Sequence, residues 1–227
     1  MAEEKHNISE EHNIGTLNEG SLHAALKDWV SEPGDRFEVP LGRFVIDVMR
    51  DGLLIEVQTG AISAMGRKLD HLLEDHRIRI VHPLAATRWL EQPGKKRRKS
   101  PSKCTVWNVL DQLVSIPTLL DHPNLELLIV MIEETEVRSG NDMVRRGRRG
   151  RVTDRRLEQV IDTHLFSSQA DLLAMLPDDL PQPWTTADLA LGAGIRRDMA
   201  QKFAYVLRTA CLVEEVERTR AGIVYRS

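Results

Sequence analysis

Two acids lie at matching depths in two consecutive apolar runs of this chain. The stretch Val45-Ile46-Asp47-Val48-Met49-Arg50-Asp51-Gly52-Leu53-Leu54-Ile55-Glu56-Val57-Gln58 carries Asp51-Gly52 between the runs. That pair is a two-residue hairpin signal, because both positions tolerate positive φ. The turn sets a register: Arg50 faces Leu53, Met49 faces Leu54, Val48 faces Ile55 and Asp47 faces Glu56. Directly opposed residues have Cβ atoms about 5 Å apart, and like charges so placed destabilise a hairpin. A divalent cation with oxygen ligands is the natural compensation. Alternation sends Ile46, Val48, Ile55 and Val57 to the other face, so Asp47, Glu56 and Gln58 share one surface. The bland alternative makes Asp47 a bulge or turn residue and Glu56 a solvated edge residue; their pairing weighs against it.

The elements that must position these residues are legible around them. Residues 17–30 read as a helix with Leu22, Ala25, Leu26 and Trp29 on one stripe. Ser31-Glu32-Pro33-Gly34 ends it. Three short strands follow at residues 36–41, 43–50 and 53–59. Ile62, Met65, Leu69, Leu72 and Leu73 give residues 62–74 an inward helical face. Residues 77–84 read as a strand, 106–120 as a helix interrupted at Pro117, and 125–136 as a long strand. The order α-β-β-β-α-β-α-β indicates a mixed sheet with helices packed on it.

An Asp on one strand and Glu-Val-Gln on the next, in that order of elements, resembles the PD-(D/E)XK nuclease superfamily over about residues 17–84, and more loosely to Glu136. The resemblance implies a restriction-endonuclease-like α/β fold, a mixed sheet with flanking helices. It implies that Asp47 and Glu56 hold Mg²⁺ (or Mn²⁺). It makes Glu19 the acid of the preceding helix. It sets Gln58 where the family usually has a Lys that helps activate the attacking water. Some restriction endonucleases of the superfamily also carry Gln there and still cut, but Gln supplies no positive charge. Arg67 and Lys68 on the next helix are placed to supply one; the competing reading of Lys68 is a solvent-facing helix residue. His23, a turn after Glu19, and Glu38 in the first strand are auxiliaries of the site or structural residues.

The 227 residues carry 31 Lys and Arg against 34 Asp and Glu, and the near balance hides a split. Acids dominate the first 20 residues, and residues 1–16 read as a disordered acidic tail. Lys95-Lys96-Arg97-Arg98-Lys99 and the run from Arg145 to Arg151 form two basic clusters, each a polyanion contact or a solvated loop. The second falls in a Gly- and Arg-rich stretch, 138–152, read as the linker between a nuclease-like domain at 17–137 and a second domain at 153–227. The second domain reads as helices at 153–164, 168–175, 186–191 and 195–212, then a pair of short strands. Thr185 caps a helix with Asp188 three residues on, Gly192-Ala193-Gly194 turns the chain, and a basic loop joins the last strands. That order resembles a mainly α winged helix-turn-helix, with Arg196, Arg197 and Gln201 on the reading helix and Arg218 and Arg220 at the wing tip. Glu214, Glu215 and Glu217 beside the wing weaken its positive field.

Together the halves point to a Mg²⁺-dependent deoxyribonuclease with DNA as its partner. The alternatives are a nuclease fold kept only as a DNA-binding regulator, or an adaptor in which neither half touches DNA. A homodimer would supply the two active sites that a double-strand cut needs. With no run of 18 apolar residues, an acidic polar N-terminus and two distant cysteines, Cys104 and Cys211, the expected setting is a reducing cytoplasm rather than a membrane.

Overall fold

Leu22 and Leu26, one helical turn apart, are the buried stripe of the first helix, α1 (Ser21–Val30). The computed structural model describes residues 20–140, 150–220 and 222–227. After α1 the chain runs through β1 (Arg36–Leu41), β2 (Phe44–Arg50) and β3 (Leu53–Val57) as an antiparallel meander. The Asp51-Gly52 turn forms as expected, with φ of 45° and 86°, and sets Arg50 opposite Leu53 and Val48 opposite Ile55. A short 3-10 turn (Ile62–Met65) leads into α2 (Gly66–Leu72). The crossover delivers β4 (Ile78–Glu91) parallel to β3, with Val57 beside Val81.

Beyond β4, β5 (Arg98–Lys99) folds back on it, and α3 (Leu110–Leu113) follows a 3-10 turn, Val106–Val109. The chain then enters β6 (Leu125–Arg138), parallel to β4. Residues 106–120 are therefore two short helical pieces, with a further 3-10 turn at Leu119–Asp121.

The next element corrects the sequence reading. Residues 153–164, expected as the first helix of a separate domain, lie in a strand, β7 (Val152–Phe166), antiparallel to β6. Leu157, Val160 and Ile161 have helix-like spacing, yet the strand holds three extra residues against β6, at Thr153, Glu158 and Ile161. Each bulge breaks the period of two that marks a strand in sequence. The sheet order is β1-β2-β3-β4-β6-β7, so the boundary expected at 138–152 falls inside a hairpin of one sheet.

The sheet is covered on both faces. On one, Leu22 and Leu26 pack with Val48, Ile55, Val57, Val81, Val130 and Ile132. On the other, Ile46, Leu54, Ile80 and Ile129 meet Ile62, Leu69 and Leu72, then Leu110 and Leu113. β3 is buried on both faces, as the near-continuous apolar run Leu54-Ile55 with Val57 requires.

The remaining chain forms α4 (Gln169–Leu173), β8 (Trp184–Thr185), α5 (Thr186–Gly192), α6 (Arg197–Thr209), β9 (Glu214–Thr219) and β10 (Gly222–Arg226). Thr185 caps α5 and Asp188 returns the bond to the Thr185 amide, the expected capping box. β8 adds to the terminal hairpin in a small sheet, β8-β10-β9. Trp184, Phe203, Leu207 and Tyr225 are buried in the same apolar layer as Leu110 and Leu113. Trp107 meets Phe203 edge-on at 5.4 Å, and Lys202 pairs with Asp111. Among the described residues no helix is long and apolar enough to cross a membrane.

Because Phe203 is fully buried in a layer that both parts of the chain share, Phe203→Ala is expected to destabilise the whole chain by about 3–5 kcal/mol. Urea unfolding should remain one transition by tryptophan fluorescence and by far-ultraviolet circular dichroism. Two transitions, only one of them shifted, would show separate cores.

Candidate functional site

The β2–β3 ladder ends at Val48 and Ile55, one residue short of the acids. Ile46 and Val48, two residues apart, join opposite core layers, so β2 rolls about its axis at Asp47. Opposite Asp47, between the pairs Phe37–Val48 and Val39–Ile46, Glu38 takes the left-handed φ of 48°. The apolar neighbours of Asp47 therefore do not share the one face that alternation assigned them. The roll turns the Asp47 carboxylate towards β3, where Oδ2 accepts the Val57 amide at 2.8 Å. A side chain thus takes the donor that the partner strand leaves unpaired.

Around that junction the structure brings together Asp47, Glu56, Lys68 and His23. Lys68 Nζ lies 2.6 Å from Glu56 Oε1 and donates to the Val45 carbonyl at 2.6 Å. Lys68 is thus turned inward from α2, not outward into solvent. His23 Nε2 lies 3.3 Å from Asp47 Oδ2. Glu56 is 7% exposed, and its Oε1 has the Lys68 ammonium as its close polar neighbour.

The two carboxyls are driven apart in acidity. Burial pushes Glu56 up to about 7; Lys68 pulls against that, and the charge of Asp47 adds to it. Burial would raise Asp47 too, but the His23 side chain, the Val57 amide and the charge of Lys68 outweigh it and hold Asp47 below the usual carboxylate range.

Gln58 does not point into this cluster. Its Nε2 donates to the Ala61 carbonyl at 2.8 Å, tying the end of β3 to the turn before α2. Its own carbonyl accepts from Nδ1 of His82 at 2.7 Å. His82 is buried, and burial, with the charge of Arg155, lowers its basicity. Arg155 on β7 also donates to the Thr59 carbonyl at 3.3 Å and, with Arg88, grips the fully buried Glu134. This network fixes the chain just beyond Gln58. Only the β4–β6–β7 pairing assembles it, and the reading of 153–164 as helix hid it.

The other expected residues are dispersed. Glu19 lies outside the described residues. Glu38 is held by Lys27 at 2.5 Å on the outer strand. Arg196 forks onto Asp198 at 2.8–2.9 Å before α6. Arg197 and Gln201 are exposed on the first turns of α6. Arg218 is paired with Glu215, which also receives Arg208, while Arg220 is exposed at the hairpin turn. Of the second basic cluster, residues 145–149 lie outside the described residues.

The carboxylates at the junction are of the kind that hard divalent cations prefer. Asp47 and Glu56 offer hard oxygen donors, and Lys68 occupies Glu56 Oε1 in this structure. No group of three or more His, Cys, Asp or Glu residues with metal-holding geometry occurs among the described residues. Two carboxylates suffice for Mg²⁺, which usually retains several waters.

Residues 20–167 match the domain family described as "Domain of unknown function (DUF8091)", and the chain belongs to that family. The match begins just before α1 and ends just after β7, so it spans the whole large sheet. The chain is also 35% identical over 199 residues to a protein of Treponema pallidum (strain Nichols) named "Uncharacterized protein", covering 84% of this chain and 79% of that one. No solved structure matches.

Folded Glu56 keeps its proton up to about pH 7, whereas the unfolded chain releases it near its ordinary 4.5. The native state therefore binds the proton more strongly, and stability falls as pH rises through that window. In chelator, Glu56→Gln should remove the loss and gain on the wild type by on the order of 2 kcal/mol between about pH 5 and pH 8. Parallel thermal unfolding at both pH values would test it; equal pH slopes for the two proteins would refute the buried protonated carboxyl.

Proposed function

We propose that this member of the DUF8091 family is a divalent-metal-dependent endonuclease of PD-(D/E)XK type that hydrolyses phosphodiester bonds in DNA. The observation that carries the reading is the convergence of Asp47, Glu56 and Lys68 where β2 parts from β3. They sit in a helix, a three-stranded meander, a crossover helix and a parallel strand, in that order. The order of elements and the paired acids support the family resemblance independently of each other.

On this reading Asp47 and Glu56 hold Mg²⁺ or Mn²⁺. When bound, the cation supplies Lewis-acid stabilisation of charge developing on the scissile phosphate. Lys68 brings the positive charge that Gln58 cannot, because its ammonium already lies against Glu56. Facing a phosphate, the same ammonium would hold a non-bridging oxygen and orient the attacking water. Gln58 acts at one remove, keeping β3 and the turn into α2 in place through Ala61. His82 and Arg155 hold the backbone of the same segment. The low carboxyl of Asp47 keeps it ionised as an oxygen donor across the neutral range.

The C-terminal elements support a winged helix-turn-helix reading at the level of order: α5, a turn, α6, and the β9–β10 hairpin. Arg197 and Gln201 on α6, and Arg220 at the hairpin, are exposed polar groups that a duplex could meet. Arg196 and Arg218 would first have to exchange their acidic partners for phosphate. The shared apolar layer makes this part an integral wall of the molecule, not a tethered reader.

Incubation of supercoiled and linear duplex DNA with Mg²⁺ should give cleavage that chelator stops. Glu56→Gln and Asp47→Asn should abolish it. Lys68→Ala should slow it by about 10²-fold or more. Gln58→Lys should not compensate for Lys68→Ala, since that side chain is directed to Ala61. Cleavage by Glu56→Gln at the wild-type rate would overturn the assignment, and no cleavage of any nucleic acid by the wild type would favour a non-catalytic DNA-binding role.

A further inference from the structure

The strands of the large sheet are unequal in length. β3 ends at Val57, opposite Val81, but β4 continues to Glu91 with β6 beside it to Val137. β7 pairs along the same stretch of β6. At about 3.3 Å per residue, the continuation reaches about 33 Å beyond the end of β3. The site at Asp47 and Glu56 lies at the root of this arm, and its tip is the turn from Gln92 into β5.

Charge is sorted along the arm. Each glutamate on it has an internal donor. Glu91 takes Arg156, Glu133 takes the Trp89 indole and Gln159, and Glu134 takes Arg88 and Arg155. Glu136 takes Arg138, and Glu158 takes Arg97 and Thr135. The tip holds Lys95, Lys96, Arg97, Arg98 and Lys99 in succession, all exposed. Of these, Arg97 forms an ion pair with Glu158, and the charge of Lys99 acts on Glu133. Arg97 and Lys99 also lie over the Trp89 ring, at 4.8 and 5.8 Å, which steadies them without reducing their charge. Gln92 ties the turn to the Ser139 carbonyl at the end of β6. The tip is thus a held cationic surface on a stiff support.

We infer that the arm tip, chiefly Lys95, Lys96 and Arg98, grips the phosphate backbone of duplex DNA about one helical turn from the phosphate at Asp47 and Glu56. A turn of duplex spans about 34 Å, close to the reach of the arm. Lysine and arginine without acidic partners suit phosphate contacts that are independent of sequence, because each releases condensed counterions. The hairpin of β9 and β10 is the weaker candidate for this task, since Glu215 already holds Arg208 and Arg218. The distance to the reacting phosphate rests on the endonuclease reading; the grip on the backbone does not.

The test is a salt titration of binding, by fluorescence anisotropy, of the full-length protein to a labelled duplex of about 30 base pairs in chelator. The variant is Lys95→Gln/Lys96→Gln/Arg98→Gln, which leaves Arg97 and Lys99 over Trp89. Its thermal midpoint should match the wild type, as all three side chains are exposed. The slope of log K against log salt should fall in magnitude by about 2.7, near 0.9 for each phosphate no longer neutralised. Arg218→Gln/Arg220→Gln should change it by less. An unchanged slope in the triple variant would overturn the inference. So would a wild type that ignores duplex DNA, including one that binds phosphatidylserine vesicles instead. Loss of duplex binding in the triple variant, with a wild type that cuts nothing in Mg²⁺, would support the phosphate grip while removing the endonuclease reading.

Discussion

The bond from the Val57 amide to Asp47 Oδ2 marks where two strands must part, and the site depends on that parting. A regular ladder would continue the pairing past Val48 and Ile55 and set Asp47 against Glu56 as a repelling pair. Instead β2 rolls, one acid becomes a substitute ladder acceptor, and the other is left buried beside an ammonium. The arrangement is costly, because burial strips Glu56 of solvent and Lys68 offsets that only in part. Its carboxyl responds by holding its proton to about 7.

The same trade recurs in the arm. Glu134 is fully buried, and burying a lone carboxylate would cost several kcal/mol, so two guanidinium groups converge on it from β4 and β7. Such a triad adds little net stability, but its geometry is specific. It links β6 to both neighbours, and through Arg155 it reaches the Thr59 carbonyl beyond the site. The position of the Gln58–Thr59 segment is therefore set by β7, at the opposite edge of the sheet from the β1–β2 hairpin.

Charge and packing divide the molecule differently. By packing, one apolar layer runs from α2 through α3 to α6 and the terminal strands, so the C-terminal elements and the sheet share a core. By charge, Glu91, Glu134, Glu136 and Glu158 along the β4–β6–β7 arm are paired with arginines, and cations accumulate at its tip. A net charge of -3 describes neither arrangement. What matters to a polyanion is which charges remain exposed without an opposite partner.

Local chemistry determined much of this protein from its sequence. Asp51-Gly52 set the hairpin and its register, because few residues tolerate positive φ at both turn positions. Leu22 and Leu26, Leu69 and Leu72, and the Thr185–Asp188 box placed their helices through spacing and capping alone. The nearness of Asp47 and Glu56 followed from the same turn. Tertiary structure decided the rest. Bulges at Thr153, Glu158 and Ile161 erased the alternation that would have revealed β7, so only pairing with the open edge of β6 fixed it as a strand. The roll at Asp47 depends on two core layers claiming Ile46 and Val48 from opposite sides. Lys68 is one of two adjacent cations on α2, and spacing gave no reason to turn it inward; Glu56 and the Val45 carbonyl, distant in sequence, provide one. Local propensity reports the backbone within a few residues, whereas partners for buried charge come from strands and helices that only the folded sheet brings together.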